Sequence, residues 1–145
     1  PDDLIFSKPN SLEQLYSIYK KYKGHVLGLN NLKNSEISKK GIVGFTEEKD
    51  RYIINKLVEK PKVSEAPSKT GILGRYIFES SIFDEIMEIS DNEVNLTEAL
   101  MSSLSKTNIS GKILDGYHFD TGNPQGLVKA SSFFLKNSKL ILEKY

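Results

Sequence analysis

No cysteine occurs anywhere in the 145 residues, which excludes disulfide staples and thiolate metal sites and suits a cytoplasmic protein. No apolar run approaches the roughly 18 residues of a membrane-spanning helix. The opening Pro1-Asp2-Asp3-Leu4 lacks the basic-then-apolar pattern of a secretory signal. Charge of one sign is not in excess either: 20 Lys and Arg stand against 19 Asp and Glu, a net of +1. Duplex nucleic acid demands a concentrated basic footprint, whereas the densest cluster here, Lys20-Lys21-Tyr22-Lys23, falls where a helix should end and where cations favour its dipole. Neither nucleic acid nor membrane is therefore an expected partner. Glycine-rich phosphate loops are missing as well: Gly71-Ile72-Leu73-Gly74 has the wrong spacing for a dinucleotide fingerprint, and no Gly-x-x-x-x-Gly-Lys-Ser/Thr occurs. Ser80-Ser81 and Ser102-Ser103 have no Gly-x-Ser-x-Gly context. The two histidines, His25 and His118, are far apart and read as packed or exposed strand residues rather than ligands.

What is present is the balance of one globular domain over residues 1–145, with 38% hydrophobic and 27% charged residues. Pro9-Asn10 followed by Ser11-Leu12-Glu13-Gln14 has the form of a capping box. Leu12, Leu15, Tyr16, Ile18 and Tyr19 continue at helical spacing, and Gly24 lies just past the end. Strands are expected at Val26–Leu29, Gly41–Phe45 and Tyr52–Val58, the last two joined by the turn Glu47-Glu48-Lys49-Asp50. Residues 61–69, with two prolines, read as a loop. A buried strand around Ile72–Phe78 contains Gly74, and glycine inside a strand marks close approach of a ligand or backbone. Helices follow around Ile82–Ile89 and from Asn95, the second with Leu96, Ala99, Leu100 and Leu104 as its apolar stripe. Leu114-Asp115-Gly116-Tyr117 predicts a tight hairpin. Asn123 as cap with Pro124 at the first helical position opens the last helix. Strands alternating with helices indicate an α/β fold.

Three places carry candidate chemistry. Asp2-Asp3 reads as the carboxyl end of a strand, where open α/β sheets place ligands. Its oxygens suit Mg²⁺, although an acidic capping pair has the same spacing. In Glu59-Lys60-Pro61 a carboxylate can accept sugar hydroxyls while the ammonium meets a phosphate. Strand alternation would point the two apart, so the strand end must redirect one of them. Phe119-Asp120-Thr121-Gly122-Asn123 leads from a strand to a helix N-terminus, which favours anions, and an ordinary capped turn reads the same way.

Taken in order, these segments resemble one family along nearly the whole chain. Pro1-Asp2-Asp3-Leu4-Ile5, Lys40-Gly41-Ile42-Val43, Val58-Glu59-Lys60-Pro61-Lys62, Ala66-Pro67-Ser68 with Gly74-Arg75-Tyr76, Glu93-Val94-Asn95-Leu96-Thr97-Glu98-Ala99, and Asp120-Thr121-Gly122-Asn123 with Gly126 are similar to the motifs of bacterial UTP–glucose-1-phosphate uridylyltransferases. The resemblance is to the second half of that family. It implies a Rossmann-like mixed sheet of the nucleotidyltransferase type, incomplete here, and Mg²⁺-dependent transfer from UTP to glucose 1-phosphate. It further implies that Asp2 holds Mg²⁺, with Asp120 as a second metal or phosphate-side candidate. Gly41 would line the sugar site, Glu59 bind glucose hydroxyls, Lys60 neutralise phosphate charge as the catalytic residue, and Gly74 admit the sugar to the backbone. Lys40 replaces the family's Tyr, Lys69 its Asn after Ala-Pro-Ser, and Glu98 its Asp. The family's Gly-rich loop, which cradles UTP, has no counterpart here. The expected partner is then the missing N-terminal half, the chain alone is expected to be inactive, and an unpaired sheet edge invites homo-oligomers. Two other readings stay open: a thymidylyl- or guanylyltransferase relative, and a non-catalytic fragment that binds sugar phosphates or a partner.

Overall fold

The computed structural model describes residues 2–89 and 96–138. In chain order the elements are β1 (Asp3–Phe6), α1 (Ser11–Tyr22), β2 (His25–Asn31), α2 (Asn34–Ile37), β3 (Gly41–Glu48), β4 (Arg51–Glu59), β5 (Thr70–Ile77), α3 (Ile82–Glu88), α4 (Leu96–Ser103), β6 (Ile109–Ile113), β7 (Tyr117–Asp120) and α5 (Pro124–Lys136). The chain divides into two compact units, Ser11–Leu114, and Pro1–Asn10 with Asp115–Tyr145. Among the described residues no helix is long and apolar enough to cross a membrane.

The larger unit is a mixed sheet that closes on itself in the order β2-β5-β3-β4-β6. β2 runs parallel to β6, while the other pairings are antiparallel. Leu27 and Leu29 of β2, Val43 of β3, Ile54 and Leu57 of β4, Ile72 of β5 and Ile109 of β6 bury together with Ile82 of α3 and Ala99 and Leu100 of α4. The two helices thereby seal the sheet. α1 seats Leu15 and Ile18 against Val26, with Gln14 also buried. Leu12 and Tyr16, expected in that stripe, are 61% and 50% exposed. The buried arc of α1 is rotated toward Gln14, and at about 100° per residue Leu12 and Tyr16 fall on its flank. Beyond the helix the Asp50 carboxylate accepts from the Tyr22 hydroxyl and the Lys21 ammonium, which together hold its pKa down at about 2. That contact ties the end of α1 to the turn between β3 and β4, and Lys20 and Lys21 occupy the helix's last turn as expected.

The smaller unit pairs β1 with β7, antiparallel, from Asp3↔Asp120 to Phe6↔Tyr117. Phe133 of α5 covers it, its ring 5.1 Å from Phe119, 6.0 Å from Phe6 and 4.4 Å from Tyr117. Asn123 caps α5 by accepting the Gly126 N–H at 2.9 Å, with Pro124 opening the helix as anticipated.

Several expectations are corrected. Asp2-Asp3 does not stand at a strand's carboxyl end: β1 begins at Asp3 and runs onward to Phe6. Leu114–Tyr117 is not a hairpin, because β6 pairs with β2 and β4 whereas β7 pairs with β1. Gly116 does adopt φ +122°, but as a connection between strands of separate sheets. α2 was not anticipated; it is one short turn that buries Ile37. Gly74 itself is exposed, between the buried first half of β5 and its partly buried second half. In the larger unit each of the five strands has two neighbours, so the unpaired edge expected of an interrupted sheet is absent there. The capping role of Asn95 and the segment Glu93–Asn95 lie outside the described residues.

Candidate functional site

β3 and β4 form a hairpin in which Gly41, the first residue of β3, is paired with Glu59, the last of β4. Immediately after Glu59 the backbone turns left-handed, Lys60 standing at φ +44° while its N–H donates to the Lys40 carbonyl at 3.1 Å. Continued strand geometry would have placed Glu59 and Lys60 on opposite faces. The left-handed residue breaks the alternation and brings Lys60 Nζ to 3.5 Å from Glu59 Oε1. The redirection expected at the strand end is thus made by Lys60 itself. The ammonium is 63% exposed and the carboxylate 30%, so both can meet a ligand.

The second oxygen of Glu59, Oε2, accepts a hydrogen bond from Thr97 Oγ1 at 2.8 Å. A Cβ on Gly41 would stand 3.1 Å from that oxygen and 3.4 Å from Thr97 Oγ1. A side chain at Gly41 would thus crowd the Glu59 carboxylate and touch the Thr97 hydroxyl only at ordinary contact distance. The same Cβ would be 3.4 Å from Ile72 Cδ1, and Gly74 lies further along that strand. The β2–β5 register shifts between Leu27↔Tyr76 and Leu29↔Ile72, so Leu73, Gly74 and Arg75 together face Gly28. Such bulges re-aim a strand. Here the bulge leaves Gly74 exposed with its carbonyl accepting from Arg75 Nη1 at 2.8 Å.

The smaller unit holds the acidic candidates. Thr121 binds the Asp2 carbonyl twice, through its N–H at 2.7 Å and its hydroxyl at 2.6 Å. This sets Asp2 beside the end of β7, where Asp120 lies, and a Cβ on Gly122 would collide with the Asp2 carboxylate. One oxygen of Asp120 accepts the Gly122 N–H at 3.1 Å. Asp3 is committed differently, its Oδ1 lying 2.7 Å from His118 Nε2. Among the described residues no group of three or more His, Cys, Asp or Glu could hold a metal. The Asp2 carboxylate and the Asp120 carboxylate thus both lie beside Gly122.

Of the residues singled out from sequence, Gly41, Glu59 and Lys60 converge at one hairpin end, and Asp2 and Asp120 converge in the other unit. Thr97 was passed over as a site residue. Its signal was its place in the family-like segment Glu93–Ala99, where Leu96-Thr97-Glu98-Ala99 by itself reads as ordinary helix. His25 is packed as expected: fully buried, its Nδ1 accepts the Glu79 N–H at 3.2 Å and its ring lies edge-on to Phe78.

Residues 1–137 match the nucleotidyl transferase family. A UTP–glucose-1-phosphate uridylyltransferase of Bacillus subtilis is 36% identical over 135 residues, which cover 90% of this chain and 46% of the relative. One from Mycoplasma genitalium is 32% identical over 149 residues, 99% of this chain and 51% of the relative. A solved UDP-glucose pyrophosphorylase in complex with UDP-glucose superposes with a TM-score of 0.87 at 32% identity, over 94% of this chain and 54% of its own. The chain spans about half the length of the curated relatives it matches.

Proposed function

The chain belongs to the nucleotidyl transferase family, and we propose that it forms the sugar-phosphate side of an enzyme transferring a uridylyl group from UTP to glucose 1-phosphate. A phosphate oxygen of the sugar phosphate attacks the α-phosphorus of UTP, the bond to the outer phosphates breaks, and pyrophosphate leaves. The observation that carries this reading is the Glu59–Lys60 pair at the end of the β3–β4 hairpin, one carboxylate and one ammonium turned to the same side. Glu59 accepts glucose hydroxyls; Lys60 offsets negative charge on the phosphates. Gly41 keeps that hairpin end open, and Gly74 exposes backbone in the β5 bulge. Transfer of this kind needs no covalent intermediate, only positioning and charge stabilisation.

Mg²⁺ would be held by Asp2, with Asp120 as the second oxygen donor, and it would supply charge neutralisation at the reacting phosphates. The space left by Gly122 for the Asp2 carboxylate supports that assignment. The contact between Asp3 Oδ1 and His118 Nε2 supports Asp2 over Asp3 as the principal ligand. Accordingly, Asp2→Asn should raise the Mg²⁺ concentration needed for half-maximal rate steeply and Asp3→Asn only mildly; the reverse ranking would transfer the metal to Asp3. Absence of cysteine supports a cytoplasmic setting.

Relatives of about twice this length are named for the activity. The nucleotide-holding groups are assigned to a further half of the enzyme. The experiment is pyrophosphate release from UTP, glucose 1-phosphate and Mg²⁺ by the purified 145-residue chain, alone and with the N-terminal half of a relative supplied separately. Release only in the mixture is expected. Robust release by the chain alone overturns the division of labour, and no release in either case or in a fused full-length protein overturns the uridylyltransferase reading.

A further inference from the structure

Glu59 has two carboxylate oxygens with separate fates. Oε1 lies 3.5 Å from Lys60 Nζ, and Oε2 accepts from Thr97 Oγ1 at 2.8 Å. Thr97 stands in the first turn of α4, whose Ala99, Leu100 and Ser103 are buried at 1% exposure or less. The hydroxyl is therefore delivered from a helix anchored in the core, to a carboxylate on the end of a strand on the other side of the contact. Without that donor the Glu59 head group keeps its contact with the exposed Lys60 ammonium. A partly buried glutamate with rotatable χ angles, held by Lys60 alone, would then sample several orientations. Recognition of a sugar hydroxyl needs a lone pair held in one direction before the ligand arrives.

We infer that Thr97 is a positioning residue for sugar recognition: by occupying Oε2 of Glu59 it orients Oε1 toward a glucose hydroxyl and keeps Lys60 available for phosphate. Gly41 lies beside the same pair, and a Cβ there would crowd the Glu59 carboxylate. This rests on the proposed role of Glu59. It couples the packing of α4 to the sugar site, so α4 sets affinity for the acceptor without touching it.

The test is steady-state kinetics of the full-length enzyme with Thr97→Val, which removes the donor at nearly constant shape, Thr97→Ser, which keeps it, and Glu59→Gln. Thr97→Val should raise the KM for glucose 1-phosphate about 5- to 30-fold with kcat within about threefold of wild type, because an interaction of ground-state binding is lost. The KM for UTP should not move. Thr97→Ser should restore the KM for the sugar phosphate to within about threefold, and Thr97→Val should add nothing in a Glu59→Gln background. Three results overturn the inference while leaving the function intact: a KM for the sugar phosphate unchanged in Thr97→Val although Glu59→Gln raises it, equal losses in Thr97→Ser and Thr97→Val, or full additivity with Glu59→Gln. An unchanged KM in Glu59→Gln instead removes the role of Glu59 on which the inference depends. Should Thr97→Val fail to fold, Thr97→Ala serves as the second variant: it also removes the donor and should raise the same KM, and normal kinetics in it would be the overturning result.

Discussion

Lys60 holds a backbone conformation that costs an L-residue with a side chain about 1–2 kcal/mol. Such strain persists where surrounding structure over-determines it, and it collects at functional positions. Stability and function therefore separate at this residue. Lys60→Gly should raise unfolding stability by roughly 0.5–1 kcal/mol in urea titration, allowing for glycine's greater entropy when unfolded, and yet lower turnover. Lys60→Met, which keeps the strain, should lower kcat about 30- to 1000-fold, the range for loss of one charge-stabilising contact. Turnover within twofold of wild type in Lys60→Met would remove the phosphate role. His25 makes an independent prediction. Burial pushes its pKa below the ordinary 6.5, opposed by the carboxylates of Glu79 and Glu85. The unfolded chain takes up this proton near pH 6.5 and the folded chain only at lower pH, so the contribution is fully present above about pH 6.5 and is lost as pH falls from there toward the folded value. Urea unfolding at pH 7.5 and 5.5 should show wild type losing more stability than His25→Phe. Asp50, held down at about 2, acts in a separate window: its stabilisation is complete above about pH 4 and disappears between there and about pH 2.

At the scale of elements, α5 meets β7 with almost no slack. A Cβ on Gly126, in the first turn of α5, would collide with the Asp120 carbonyl. Gly126→Ala must therefore move the helix start, and overpacking of this kind costs typically about 1–3 kcal/mol. Thermal unfolding should show it as a lower Tm. The Mg²⁺ requirement of the full-length enzyme should rise in parallel, since Asp120 is displaced; an unchanged Tm and an unchanged requirement would mean that the helix start gives way freely. Much of this organisation was legible beforehand. Asn123 and Pro124 announced α5, and Lys49 with Asp50 made the expected turn between β3 and β4. Those signals work because caps and turns satisfy backbone groups within a few residues. The apolar face of α1 was placed one flank away from its true position, because Gln14 is buried and Leu12 exposed, a choice made by the sheet it packs against.

Across the molecule, the two sheets differ in how they treat their edges. The five-stranded sheet closes on itself, whereas among the described residues β1 and β7 pair only with each other. A two-stranded ribbon is marginal alone and leaves one unpaired side on each strand. Self-association of the chain, if driven by strand pairing, should use this ribbon. Leu4 of β1 is 38% exposed, and Leu4→Lys adds an edge charge of the kind that discourages pairing. Light scattering at rising concentration should show wild type associating more than Leu4→Lys; equal association would place the contact elsewhere.

Sequence alone determined the alternation of elements, the family and most candidate residues, because helix caps, turn residues and motif order are short-range or collinear properties. Glu59, Lys60, Gly41, Asp2 and Asp120 could all be named from it. Which strand pairs with β7, where Asp3 falls in its strand, whether Gly74 is covered, and what holds the second oxygen of Glu59 were decided by tertiary structure. Each depends on a partner distant along the chain: Asp3 on Asp120, Gly74 on the bulge against β2, Glu59 on Thr97. A threonine in the first turn of a helix carries no local mark of the carboxylate it will meet. Only the packing of α4 onto the sheet, through Ala99 and Leu100, brings its hydroxyl within hydrogen-bonding distance of the hairpin end.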